Sequence, residues 1–468
     1  GKQLGSSQQF YPTSVPQEGF AEQDPFVVFD AFISVARGMI RELKEIPAVI
    51  SFSSAMHSLM VTDKSCKPLT QLILWSDSRS ASIAEELRCT AQGKKIYEAT
   101  GTPIHAMSPL CKIMWLQKNR ADILNADCMY ISMKEFCWFH LFGEFVIDHS
   151  LASATGLFDI EKRKWYDESL KIAGINESQL SQPVSTSYIN NRINARMAAQ
   201  FEFSAPVDFC IGASDGCLAN LGTYSIQKGI AALSIGTSGA IRICTSRPVR
   251  DAAMMNFNYI LDEKNYISGG AINNGGNVVQ WLLNNFLNQR IDEKNYSDLF
   301  EEIGQVSPGA DGLIFLPYLQ GERAPVWDEK CCGVYFGVRF IHERNHFLRA
   351  SVEGICFALF QIMNALEEAT GPIETLNASG GFVKSPIWLM TLANITGKKI
   401  AVLQTDDASA IGAAFMGLKA TGLIEDYNAL SAEIGMQFLP DKNLAGAFDK
   451  NFSVFKKLYP QLKELMHM

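Results

Sequence analysis

The sequence has 468 residues, 47% hydrophobic and 19% charged, an ordinary composition for a folded α/β protein and enough chain for two or three domains. A formal net charge of −8 with no basic block excludes a nucleic-acid surface, so any anionic ligand must meet locally placed N–H groups and cations. No apolar run reaches the ~18 residues of a membrane span, and the start, Gly1-Lys-Gln-Leu-Gly, lacks the charged and apolar regions of a signal peptide.

Eleven cysteines without a CxxC pair suggest neither zinc nor a disulfide framework, and Cys331-Cys332 reads as two buried thiols. A reducing, cytoplasmic setting is expected.

Residues 1–16 are polar and strand-like. Asp24 then caps a helix that opens at Pro25 and places Phe26, Phe29, Ile33, Ile40 and Leu43 on one face. Two strand-like runs fill 49–63, and a return strand over 69–75 ends in Trp75-Ser-Asp77-Ser-Arg79. Functional groups collect at such strand ends. A helix over 82–88 follows, then a loop, Thr100-Gly-Thr-Pro-Ile-His-Ala-Met-Ser-Pro109, which starts a helix through Lys118. The run 134–142 is apolar at helical spacing and stops at Gly143, and 150–156 is a small-residue segment suited to close packing. A buried strand over 203–214 runs straight into Asp215-Gly216 and a helix over 217–221.

In the second half, strands over 230–235 and 240–244 flank Gly236-Thr237-Ser238-Gly239, a hairpin with a Gly-rich turn. A strand region over 256–267, a Gly-rich stretch over 268–276 and a helix over 277–286 come next. A strand over 311–318 leads to the polar loop 320–325 and a long helix from 344 to 369. The strand 374–378 meets Ser379-Gly-Gly381, and Ser385-Pro386 caps a helix that Gly397 stops before a strand over 400–403. Asp406 and Asp407 cap a small-residue helix over 408–420, and an amphipathic helix over 452–466 closes the chain. Strand-turn-helix units in both halves place a division that gives domains 1–224 and 225–468.

Asp215 stands where an apolar strand becomes a helix between small residues. A carboxylate there can face a cleft and accept a hydroxyl proton, or can simply cap the helix. The turn holding Gly236 and Thr237 can aim backbone N–H groups at a phosphate, or can be a plain β-turn. Gly380 and Gly381, and Gly276 ahead of Gln280, allow a ligand close to backbone, or are ordinary strand–helix turns. Met56-His57 reads as a sugar contact or a buried structural histidine. Trp75, Asp77 and Arg79 read as a sugar-binding cluster or an Asp–Arg pair. Lys134 at a helix start opposes the helix dipole, which hints that it answers a negative charge elsewhere. Glu322-Arg323 reads as a local ion pair.

Together these stretches resemble the FGGY family of carbohydrate kinases, within the hexokinase–actin ATPase superfamily, along essentially the whole chain. The resemblance rests on Ala21-Glu-Gln-Asp-Pro25, Met56-His57, Leu74-Trp-Ser-Asp-Ser-Arg79, Gly212-Ala-Ser-Asp-Gly216, Ser234-Ile-Gly-Thr-Ser-Gly239, Pro317-Tyr-Leu-Gln-Gly-Glu-Arg323 and Ser379-Gly-Gly381 in that order. The segments 50–58, 100–112 and 150–156 look like the gluconate kinases of the family.

The resemblance implies an α/β architecture of two actin-like, ribonuclease H-like domains around a cleft. Sugar would sit mostly on the first domain and ATP mostly on the second. It implies Asp215 as catalytic base and Mg²⁺ ligand. It places Gly236, Thr237, Gly276, Gln280, Gly380, Gly381 and Ser385 at the nucleotide, and Met56, His57, Trp75, Asp77, His105 and Lys134 at the sugar. Of these, Lys134 is favoured to meet a gluconate carboxylate, with His105 next. The expected ligands are a small sugar acid, ATP and Mg²⁺, with no nucleic acid or membrane partner, and a homodimer is left open. The family opens with an Asp-x-Gly-Thr phosphate loop that is expected to precede residue 1, and Cys66 stands where relatives carry a turn glycine. A kinase for a neutral ketose such as xylulose, an inactive sugar sensor and an actin-like filament former are the competing readings.

Overall fold

A computed structural model describes residues 4–43, 45–203, 205–251, 254–286, 293–403, 407–429 and 434–468. Asp406 of the expected 408–420 helix cap lies outside these residues; Asp407 accepts from Ala410 N at 3.0 Å.

In the first half, Val49–Ser54 lies parallel to Asp208–Ser214, with Ile189–Asn190 antiparallel on its far side. The middle strand carries Phe209, Cys210, Ile211 and Ala213, all buried, as a strand covered on both faces must be. Helices Pro25–Leu43 and Met133–Phe142 cover one face around Phe29, Phe136 and Trp138. Asp24 Oδ1 caps the first of these from Phe26 N at 2.8 Å. Phe26 and Leu43 of that helix are exposed rather than buried, whereas Phe29 and Ile33 are buried and Ile40 packs against the core. The register of the sheet shifts between Cys210 and Ala213. Gly212 takes φ +67° there, and a Cβ on it would lie 1.9 Å from Phe52 O. This bulge turns the strand's last residues toward the cleft and aims Asp215.

The second half is built on a seven-stranded mixed sheet in the order Phe257–Ile260, Tyr266–Ile272, Gly239–Thr245, Ile230–Ile235, Thr375–Ser379, Lys399–Leu403, Ile434–Phe438. Leu233, Ile235 and Ile241 pack under the long helix Arg344–Thr370 through Leu359 and Ile362. Ala240, Phe257 and Ala271 pack on the opposite face with Leu218 and Phe415, from helices Asp215–Gly222 and Ala408–Ala420. Those two helices cross backbone to backbone. A Cβ on Gly222 would lie 1.8 Å from Ala408 O, and one on Gly412 would lie 1.9 Å from Leu218 O. The second helix also reaches the first sheet, where a Cβ on Gly417 would sit 3.0 Å from Ser51 Cβ.

Several expectations are corrected. The region 256–267 is two antiparallel strands, and the glycine-rich 268–272 belongs to the second of them. Glycine is needed at 270 because a Cβ would lie 2.7 Å from Ile362 Cγ2 of the covering helix. The strand expected over 311–318 is confined to Ile314–Leu316, and the last helix starts earlier, at Ala445. Cys331 is buried but Cys332 is exposed. Cys66 has the left-handed backbone, φ 64°, that a turn glycine would take. Among the described residues, no helix is long and apolar enough to cross a membrane.

Candidate active site

Asp215 opens its helix but does not cap it. Ser214 does, accepting from Cys217 N, and Ser214 is itself held by Ser150 Oγ at 2.9 Å. The Asp215 carboxylate is therefore free for other work. Its Oδ1 accepts from Gly216 N at 2.8 Å. Burial pushes its pKa up, opposed by that N–H and by the Arg242 guanidinium. A Cβ on Gly216 would lie 3.4 Å from Arg242 Nε, so the guanidinium stands beside the acid.

The acid faces a cavity of about 210 Å³. From before residue 222 the wall is Met56, His57, Trp75 and Met107, and from the seven-stranded half it is Ser234, Ser238, Arg242, Tyr259, Arg323 and Trp327. His57 is strained into φ 65° and fully engaged: Nδ1–H donates to Ala154 O at 2.9 Å, leaving Nε2 to accept from Tyr259 Oη at 3.2 Å. Burial and the nearby Lys112 ammonium lower its pKa to about 3, so the ring is neutral. Lys112 is buried, and its Nζ donates to His57 O and Leu74 O, both at 2.6 Å. It thereby ties the Met56-His57 and Trp75 segments together.

A second cavity, of about 860 Å³, lies on the other side of the hairpin. Its wall includes Gly236, Thr237, Gly276, Gln280, Gly381 and Ser385, with Trp388 and Phe300 as aromatic surface. The hairpin loop is three residues, since Ile235 pairs with Gly239. Its carbonyls are anchored by the start of helix Gly276–Phe286: Gly276 N donates to Gly236 O at 2.7 Å and Gly275 N to Thr237 O at 3.1 Å. Among the described residues, the Thr237 and Ser238 amides meet no acceptor. Gly380 does not line the cavity. It sits at φ 101° with Ile235 O 2.4 Å from where a Cβ would be, so it shapes the turn that presents Gly381. Ser385 caps Pro386–Thr396, accepting from Trp388 N at 3.2 Å. The same hairpin thus walls both cavities: Gly236 and Thr237 face the large one, Ser238 and Gly239 the small one.

Residues 1–222 match the FGGY family of carbohydrate kinases, N-terminal domain, and residues 231–421 match its C-terminal domain. The chain belongs to the FGGY carbohydrate kinases. A gluconokinase of Bacillus subtilis (strain 168) is 39% identical over 92% of this chain and 85% of its own length. The crystal structure of gluconate kinase from Lactobacillus acidophilus superposes with a TM-score of 0.94 at 31% identity, over 98% of this chain and 94% of that one. The ligand-bound xylulose kinase of the same organism gives 0.92 at 30% identity, over 97% and 92%.

Within this FGGY kinase the expected sugar residues separate. Met56, His57 and Trp75 line the small cavity with Asp215. Asp77 does not. It is buried and accepts from Ala21 N at 2.7 Å and from Arg79 Nε at 2.8 Å, while Arg79 also reaches Glu22 at 2.6 Å. His105 sits edge-on against Trp327 with Nε2 3.3 Å from Glu329 Oε1, and burial drives its pKa well down, so it brings no positive charge. Lys134 does not line the Asp215 cavity either. Its Nζ lies 2.7 Å from Asp148 Oδ2, 3.1 Å from Ile211 O and 3.0 Å from Ala213 O, which uses its three N–H donors beneath the strand that carries Asp215.

The Asp215 cavity is walled by both halves, since the strands 239–245 and 257–260 and the loop bearing Arg323 close it. Glu322 and Arg323 do not pair side chain to side chain. The Glu322 carboxylate accepts from Asn273 N and, at 2.9 Å, from Asn274 Nδ2. Sequence reasoning missed Arg242, Tyr259 and Trp327. A lone arginine inside Ala-Ile-Arg-Ile-Cys was the available signal for the first.

Proposed function

We propose that this kinase transfers the γ-phosphoryl of ATP to the C6 hydroxyl of D-gluconate. The observation that carries the reading is the hairpin 236–239, which separates the Asp215 cavity from the larger one by a single turn of backbone. A nucleotide along Gly276, Gln280, Gly381 and Ser385 would bring its terminal phosphate to Thr237 and Ser238. A sugar beside Asp215 would present a hydroxyl to the same place. Asp215 takes the hydroxyl proton as the oxygen forms its bond to phosphorus and the bond to ADP breaks. The Thr237 and Ser238 amides hold the charge on the transferring group, so catalysis is positioning plus fixed dipoles. Met56, His57 and Trp75 shape the sugar cavity without charge. The nucleotide would lie on residues 225–468, and the sugar between 1–224 and that half.

Asp215, a single carboxylate with one N–H partner, fits a hard cation that takes its other ligands from phosphate and water. Mg²⁺ held there would neutralise phosphate charge. Gluconate is favoured over a neutral ketose by the 39% identity to a protein named gluconokinase, against 27% to one named xylulose kinase.

Asp215→Asn tests the reading. It should keep its circular dichroism and its sugar affinity while turnover in a coupled ADP-release assay falls by about 10²–10⁴-fold. Near-normal turnover would make Asp215 a structural acid. Wild-type protein that releases ADP with xylulose and not with gluconate would replace the substrate.

A further inference from the structure

Arg323 and Trp327 reach the small cavity from one short loop. The two ends of that loop are zipped together: Glu322 N donates to Asp328 O and Asp328 N to Glu322 O, both at 2.8 Å. Between them, Trp327 N turns back onto Arg323 O at 2.5 Å. Trp327 has φ 48°, a left-handed backbone that a bulky residue keeps only under outside restraint. One restraint is its own indole, whose Nε1–H donates to Met255 O at 3.1 Å. The other acts on its neighbour, Asp328.

Asp328 is buried, and it is held from a distant part of the chain. Its Oδ2 accepts from Tyr459 Oη at 2.8 Å and from His467 Nε2 at 2.6 Å, side chains 131 and 139 positions further on. Its Oδ1 accepts from Lys330 N at 3.0 Å. Tyr459 belongs to the last helix, Ala445–Met466, and His467 is the residue after it. Burial alone would push the Asp328 carboxyl up, but His467, Tyr459 and Lys330 N hold it below its ordinary value. The Tyr459 ring also packs edge-on against Tyr318, at 6.1 Å, just ahead of the loop. Asp328, Tyr459 and His467 do not line the cavity themselves. Any effect they have on a ligand there must pass through Arg323 and Trp327.

We infer that the end of the last helix, through Tyr459 and His467, braces the loop 322–328 against the small cavity and so sets how tightly that cavity grips its ligand. Tyr459 and His467 are positioning residues that act through the Asp328 carboxylate. The inference rests on the small cavity being the sugar site. A strained loop released from its brace spends less time in the arrangement that walls the cavity, and the apparent affinity falls with that fraction. The nucleotide cavity shares no residue with the loop, so ATP should not sense the change.

The test measures KM for D-gluconate, KM for ATP, kcat and melting temperature in wild type, Tyr459→Phe, His467→Ala, His467→Gln, Asp328→Ala and the double variant Asp328→Ala/His467→Ala. His467→Ala should raise the sugar KM about 3- to 30-fold, with KM for ATP and kcat nearly as they were. Tyr459→Phe should move it in the same direction. His467→Gln, whose amide can still donate to Asp328, should recover much of the loss. In the double variant, His467→Ala should add nothing to Asp328→Ala, because the brace acts only through that carboxylate. A lowered melting temperature in His467→Ala with both KM values unmoved overturns the inference, since the contact would then only pin the helix end. So does an equal rise in both KM values. If Asp328→Ala does not fold, Ala against Gln at position 467 decides alone. Wild type that turns over D-xylulose and not D-gluconate would bring down the gluconate reading only, and the same KM comparison made with D-xylulose would then decide the brace.

Discussion

Lys134 shows how a single residue can be half legible. A lysine at a helix start does answer a negative charge here, but the charge is Asp148, inside the same half of the chain, rather than a ligand. The sequence contains both residues and cannot say that they meet. Lys134→Met should therefore leave Asp148 buried without its cation and lower stability by about 3–5 kcal/mol, read as a shifted midpoint in urea. The KM for sugar of the folded fraction should not move, and unchanged stability with a raised KM would restore Lys134 to the site. The adjacent Glu322 and Arg323 attract each other without a side-chain hydrogen bond, because Glu322 turns toward Asn274 and Arg323 toward Trp75. His57 lines the small cavity, where burial fixes it as a neutral wall with both nitrogens bonded inside the protein.

Elements whose signals are local were read well. The Ser385-Pro386 start, the Gly397 stop and the 230–245 hairpin each depend on a few neighbouring residues, and all are present. Elements whose glycines answer a distant partner were not. Gly269 and Gly270 look like loop residues until the strands bearing Ile241 and Phe257 close on the first and the helix 344–370 is packed above the second. The nucleotide turn gives a sharp test of the same distinction. A Cβ at Gly381 meets nothing within 4 Å, whereas one at Gly380 meets Ile235 O at 2.4 Å with φ at 101°. Gly381→Val should raise KM for ATP with the melting temperature and sugar KM nearly intact, because the new side chain enters only the cavity. Gly380→Val should lower the melting temperature instead. If both variants behaved alike, the large cavity would not be where ATP lies.

At the scale of the whole molecule, the match of both FGGY domains and the superposition on sugar kinases account for why the order of motifs, rather than any one of them, identified the fold. The small cavity takes Met56 and Trp75 from before residue 222 and Arg242 and Trp327 from after residue 231. Its walls exist together only while both halves are folded and apposed. A sugar bound there is then a cross-link in the thermodynamic sense, lending its binding energy to whichever half would melt first. In scanning calorimetry, sugar at about 100 times its Kd should add roughly 2.7 kcal/mol and draw the melting of the two halves into one sharper transition. If only one of two resolved transitions moved, the ligand would be held by one half alone. A protein built this way becomes harder to unfold, and harder for a protease to open, whenever its own substrate is plentiful.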